Sequence, residues 1–515
     1  MRHAKAVQLT ALFLSLVFSS SACHKVEVDL PKFALNTGAS QTAPDPLSLV
    51  ADERRTREAE VMSESDQATK EMLEAYFGPL PSIAEKVEYQ HFKAKGLYIS
   101  TGENLQKVID ICRQTEVNAV VLDIKENYGF TYRTNIPLAL ETEAATLNID
   151  IGRIIQMLKH EGIHVIGRIV CFNDSNLANK RPDLCLTGQN GKPLIWPLEG
   201  NKAFTSPYNT EVWDYLVDVA EEAISMGVDE IQLDYVRFPS GDSLNGEDIY
   251  VKTPKNWTSD RVPTRAQAIN RFIEYMRAAI TDRLGIPIGL DCFGTVMVFP
   301  SDGTTIGQDW TSLGLTGLDN ISPMVYPSHF SDERANGIGT IIGNYTFRLP
   351  DAEPQKLVLA ALNAGNALLT PQQSNIYAHV RPFLQAFTAS YLGEGRYIPY
   401  GREEVRAQIQ AVYEAGYDEW FLWNSDADYE ASWFNSKNNP GQAVDRTPVI
   451  EKQVQKATEP PLIQPGRSIP TGINHDPEET RRDESLNTTN VEVEEAPANW
   501  DIPDENNDEE NWSDN

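Results

Sequence analysis

From Lys95 onward, short apolar or β-branched runs alternate with stretches whose apolar residues recur every three and four positions. The first kind of run fits a buried strand and the second an amphipathic helix, and their alternation is the signature of βα units around a parallel sheet. Eight strand-like runs can be counted, at residues 96–100, 118–125, 164–172, 229–239, 286–294, 320–330, 356–365 and 418–429. Between them, segments such as IGRIIQMLKHEG, EVWDYLVDVAEEAISMG and RAQAINRFIEYMRAAITDRLG have the helical period and end at or near glycine. The pattern predicts an α/β fold, a (β/α)8 barrel over residues 95–435. Its weakest part is the long aromatic stretch 370–401, which should hold a helix plus an insertion after the run KLVLAALNAG.

The pattern changes at both ends. Residues 1–22 combine a basic start, an apolar run from Leu9 to Phe18 and then small residues, the layout of a secretory signal too short to span a bilayer. Ser20-Ser21-Ala22-Cys23 resembles a lipobox, with Cys23 as the lipidated residue, so the expected location is the bacterial cell envelope, or outside the cell if cleavage leaves Cys23 unmodified. Residues 23–94 read as a tether followed by a helical segment that either packs on the barrel or projects as a stalk. Residues 436–515 read as an acidic, solvated tail, because DPEETRRDES and DENNDEENWSDN offer too little apolar surface to offset the entropy of ordering them.

Composition narrows the partners. The 515 residues carry 74 acidic and 44 basic side chains, a formal net charge of −30, which excludes a nucleic-acid backbone as ligand. Of five cysteines none forms a CxxC pair, and Cys171 and Cys185 read equally as a disulfide or as small buried side chains. There is no HxH, HExxH or GxSxG pattern, so neither a metal nor another cofactor is expected. Oligomeric state stays open.

In a barrel of this kind the chemistry sits at the carboxyl ends of the strands. Those ends supply Asp123, Lys125 and Glu126, then Arg168 and Asn173, Asp234 and Arg237, Asp291, Tyr326 and His329, Asn363, and finally Trp423, Asn424 and Asp426. Side chains alternate along a strand, so Ile231 and Leu233 face the helices while Glu230, Gln232 and Asp234 face the interior. The same alternation turns Gly289 and Asp291 inward on the next strand. Two inward carboxyl groups on adjacent strand ends suit cleavage of a glycosidic bond, which needs one group to protonate the leaving oxygen and another to attack or activate water. Asp234 is the candidate nucleophile and Asp291 the candidate acid, with Arg168 and Arg237 holding Asp234 ionised. Asp123, Lys125, Tyr326, His329, Trp423 and Asn424 complete a candidate sugar-binding set. Each has a plainer reading as well: a helix cap for a lone Asp, an ion-pair layer for the arginines, rim packing for the aromatic residues.

The segments GLYIS, VLDIKENYG, GRIVCFND, SPYNTEVWDYLVDVAEEAISMGVDEIQLDYVRFP, GLDCFG with IGQDW, and ISPMVYPSHF resemble the DUF4015 type of glycoside hydrolase barrel, found in bacterial envelope and exported proteins. The resemblance implies a glycosidase-like barrel with an Asp nucleophile ending the fourth strand, which falls on Asp234. Alpha-amylase-like barrels carry an Arg two residues before that Asp, where this chain has Gln232. The expected activity is hydrolysis or transfer at a glycosidic bond of an envelope or extracellular polysaccharide. The alternative is a catalytically silent carbohydrate-binding or envelope-organising lipoprotein.

Overall fold

A computed structural model describes residues 64–145, 148–259, 261–331 and 339–444. The expected signal, Cys23 and most of the acidic tail lie outside the described residues.

Eight parallel strands close into a barrel. They are β1 (Lys95–Ile99), β2 (Ala119–Glu126), β3 (His164–Val170), β4 (Glu230–Asp234), β5 (Ile288–Phe293), β6 (Asn320–Met324), β7 in two short runs (His379–Val380 and Phe383–Gln385) and β8 (Trp420–Trp423). Each pairs with the next, and β1 pairs with both β2 and β8, so the barrel itself has no open edge. Gly96 on β1 permits the closure, since a Cβ there would stand 2.6 Å from the Phe421 ring on β8.

The helices follow the sequence pattern closely. Helix α1 (Glu64–Phe77) precedes the barrel, and α2 (Leu105–Gln114), α3 (Ile151–His160), α4 (Thr210–Met226) and α5 (Arg265–Met276) surround its first half. On α3 the residues Ile151, Ile154, Ile155 and Leu158 are buried, and Asp150 caps its first turn through the Arg153 amide. On α4 the buried face runs from Val212 to Ala223 and ends at Gly227, whose φ of 107° suits glycine. Helix α1 packs on the barrel. Phe77 lies 4.8 Å from the ring of Trp213, Tyr76 lies 5.3 Å from Trp257, and Arg271 bonds the carbonyl of Gly78 at 3.1 Å.

The second half corrects one strand. KLVLAALNAG forms no strand but lies within α6 (Pro354–Ala367), so Asn363 is a helical residue and not a strand end. The true β7 lies in the aromatic stretch, at HVRPFLQ, where the Arg381 amide bonds Ile321 and the Pro382 carbonyl accepts from Phe421. An apolar run of that length is equally at home in a buried helix. Pro354 at its first turn and four alanines decide for the helix. Helix α7 (Arg402–Glu414) then leads to β8 as the sequence suggests.

Inside the barrel the layers differ in chemistry. At the amino-terminal end Arg381, fully buried, bonds Glu230 at 2.7 Å and Glu419 at 2.8 Å, while His91 lies 2.7 Å from both Asp319 and Glu419. Above that floor Ala119, Val121, Ile166, Phe383 and Phe421 form an apolar plug with Tyr98. The charged layer at the carboxyl end rests on this plug. Cys112, Cys171, Cys185 and Cys292 are buried and free, so Cys171 and Cys185 take the packing role and not the disulfide.

Candidate active site

The parallel register aligns the key residues: Asp123 pairs with Arg168, Arg168 with Gln232, and Val170 with Asp234. Arg168 therefore sits amid the acids of two flanking strands. Its Nε and Nη2 donate to Asp234 Oδ2 at 3.0 and 2.7 Å, and its Nη1 donates to Asp123 Oδ1 and Glu126 Oε1, both at 2.6 Å. A planar guanidinium suits several carboxylates at once. Tyr98 donates to the other oxygen of Asp123 at 2.5 Å. Asp234 Oδ1 accepts the backbone N–H of Tyr235 at 2.6 Å.

That last bond follows from a break in the strand. Tyr235 has φ 51°, a left-handed conformation that is strained for an aromatic residue, so the alternation of β4 stops at Asp234. The buried Tyr235 ring lies 4.9 Å from the Arg237 guanidinium.

The electrostatics separate the acids. Burial pushes Asp291 well above the ordinary carboxylate range, and the charge of Asp234 pushes the same way. Asp123 is raised by burial and by Glu126. Burial would raise Glu126 too, but Arg168 and the hydrogen bond from Asp123 bring it below its ordinary value. Gln232 Nε2 lies 2.8 Å from Asp291 Oδ1, and Gln308 binds the backbone of Phe293 and Asp291, fixing the end of β5. Burial and neighbouring charge thus push the carboxyl groups of the site in opposite directions, as paired acid and nucleophile chemistry requires.

The other candidates fall into two groups. Tyr326, His329 and Trp423 form an aromatic wall with Tyr98 and Phe387, with ring centroids 4.8 to 6.3 Å apart. Burial lowers the pKa of His329 to about 4, leaving it neutral. The remaining polar residues are committed within the protein. Arg237 pairs with Glu199 at 2.8 Å instead of binding Asp234, Lys125 is fully buried against Asp174 at 2.8 Å and the Val170 carbonyl at 2.7 Å, and Asn424 ties its loop to the Ala386 carbonyl at 2.6 Å. Sequence reasoning did not single out Tyr98, Glu199, Asp174 or Gln308. Tyr98 was accessible to it, being inward by alternation in GLYIS; the others come from loops whose course no periodicity reveals.

One family profile, described as "Putative glycosyl hydrolase domain", matches residues 95–429, which span the barrel. The chain belongs to the DUF4015 family. No curated protein matches it. Among solved structures, a hypothetical protein from Ruminiclostridium thermocellum ATCC 27405 is 32% identical, over 38% of this chain and 96% of that one, with a TM-score of 0.32. The PgaB (BpsB) glycoside hydrolase domain from Bordetella bronchiseptica is 13% identical, over 65% and 95%, with a TM-score of 0.45. TtGalA, an alpha-galactosidase from Thermus thermophilus, is 13% identical, over 68% and 61%, with a TM-score of 0.39.

Among the described residues one cluster could hold a metal ion, His91, His379 and Glu419, whose ligand atoms lie within 4.8 Å of one another. It lies at the barrel floor, away from this DUF4015 site, and both ring nitrogens of His91 are already engaged by Asp319 and Glu419.

Proposed function

We propose that this DUF4015 barrel hydrolyses or transfers glycosidic bonds of an envelope or extracellular polysaccharide, with Asp234 as nucleophile and Asp291 as general acid. The observation that carries the reading is the contrast between the two carboxyl groups. Asp234 is gripped twice by Arg168, whereas Asp291 on the neighbouring strand is buried and pushed well above the ordinary carboxylate range. One group is then equipped to stabilise developing positive charge on the sugar, the other to give a proton to the leaving oxygen. Trp423, half-buried at the end of β8, offers a ring against which a pyranose can stack, backed by the buried Tyr326. Arg168, buried, joins Asp123 to Asp234.

The test is a panel of oligosaccharides offered to the full chain. Asp234→Asn should lower turnover by at least about 10³-fold, and Asp291→Asn by about 10² to 10⁴-fold, with the smaller loss for substrates whose leaving group needs no protonation. Turnover unchanged in Asp234→Asn removes the assignment. Glycan binding without turnover in the unmodified chain would support the silent carbohydrate-binding alternative. We also propose that the protein is exported and anchored in the cell envelope through a lipid on Cys23, which supports an envelope glycan as substrate.

A further inference from the structure

A hydrogen-bond chain beneath Asp291 is incomplete as its amides are oriented. At the barrel floor the buried Glu230 accepts from Asn320 Nδ2 and from Arg381 Nη1, both at 2.7 Å. That donation fixes the Asn320 amide, since turning it would set its oxygen against a carboxylate. Asn320 Oδ1 must therefore face the other way, toward β5. Gly289 is the β5 residue registered with both Gln232 and Asn320. A Cβ on it would stand 2.2 Å from Gln232 Oε1 and 2.3 Å from Asn320 Oδ1. Two amide oxygens thus converge on the space of a missing methyl, and both are buried with no hydrogen-bond partner. A buried acceptor left unpaired loses its hydration with nothing in return.

The two ends of a carboxamide are nearly alike in shape, so the surrounding network decides which end is which. A half-turn of Gln232 places its Nε2 in the gap, where it donates to Asn320 Oδ1 directly or through one water. The same half-turn sets its oxygen against Asp291 Oδ1, at the 2.8 Å now spanned by the nitrogen. Two oxygens at that distance form a hydrogen bond only if one carries a proton, and a carbonyl oxygen cannot. The proton belongs to Asp291.

We propose that Gln232 and Asn320 are positioning residues that keep Asp291 protonated, Asn320 being oriented by the Glu230–Arg381 pair and in turn orienting Gln232 to accept from the Asp291 carboxyl. The proposal deepens the reading of Asp291 as general acid and rests on it. The other groups that face Asp291 are Asp234 from β4, Arg168 from β3, Tyr326 beyond β6, Cys171 beyond β3 and Cys292 on β5 itself. Asp234 favours the neutral form and Arg168 the ionised form. The amide relay adds to the first.

The test uses the full chain and two variants, Gln232→Met, which removes the acceptor, and Asn320→Ala, which frees Gln232 to donate to Asp291. The carbonyl band of the Asp291 carboxylic acid is identified by infrared difference against Asp291→Asn and followed with pH, alongside the alkaline limb of kcat/KM. Both variants should titrate Asp291 about one pH unit lower than the unmodified chain. A shift upward in Gln232→Met is the sign expected of an amide that donates to a carboxylate, and it overturns the proposal, as does no shift in either variant. Asn320 also supports Glu230, so if Asn320→Ala fails to fold, Gln232→Met decides alone. A downward shift of the band with no glycan cleaved supports the relay and removes the glycosidase reading. Cleavage with an unmoved band does the reverse.

Discussion

His91 shows how much a single side chain can carry in this barrel. Burial alone would lower its pKa, but hydrogen bonds to Asp319 and Glu419 raise it to about 10. Burial would raise Glu419, yet Arg381 and His91 hold it at about 2. The signs set the window. The raised His91 contributes stability that is fully present below its ordinary pKa of 6.5 and lost as pH rises through about 10. The depressed Glu419 contributes stability present above 4.5 and lost as pH falls through about 2. His91→Gln should therefore cost about 3 to 5 kcal/mol near pH 6, because it leaves two buried carboxylates short of a cation. Denaturant midpoints at pH 6 and above pH 10 check this: the gap between variant and parent should narrow at the higher pH. At the same scale, the sequence revealed Asp234 and Asp291 as inward residues but not the partners of Arg237 and Lys125. Alternation tells which way a side chain leaves its strand. It does not tell that Glu199 and Asp174, on loops, arrive first.

Among elements, α1 is the one whose place the sequence left open. Its last turn sets Phe77 against Trp213 and Tyr208, and Tyr76 donates to the Lys252 carbonyl at 2.8 Å, in the long loop that follows β4. The helix thereby braces the segment leading away from Asp234. Phe77→Ala should destabilise the protein by about 2 kcal/mol, less than a fully buried Phe because the ring is half-buried. Urea unfolding measures the loss, and a midpoint equal to the parent's would show that α1 adds no stability to the barrel. The β7 error has its cause at this scale too. KLVLAALNAG has the apolar run of a strand, whereas the true strand contains Arg381 and Pro382, which read against one. Arg381 is tolerated only because Glu230, Glu419 and the Phe92 carbonyl satisfy it from other elements.

For the whole molecule, the proposed lipid anchor would hold the barrel at a membrane surface without a spanning segment. Among the described residues no helix is long and apolar enough to cross a membrane. Cys23→Ser should move the protein from the membrane pellet to the soluble fraction and abolish incorporation of a labelled fatty acid. Equal partitioning of variant and parent would remove the anchor.

The sequence by itself determined the barrel and its family, because strand and helix periods and the motifs from GLYIS to SPMVYPSHF are local properties of the chain. It also determined that Asp234 and Asp291 face inward, since alternation is fixed by the pleat. Only the tertiary structure decided which carboxyl groups burial pushes upward, which cation serves which acid, and where β7 runs. Those outcomes depend on burial and on partners from distant segments: Arg168 reaching Asp123, Glu126 and Asp234, and Arg381 joining Glu230 to Glu419. A pattern along the chain fixes direction, but a charge takes its state from everything packed around it.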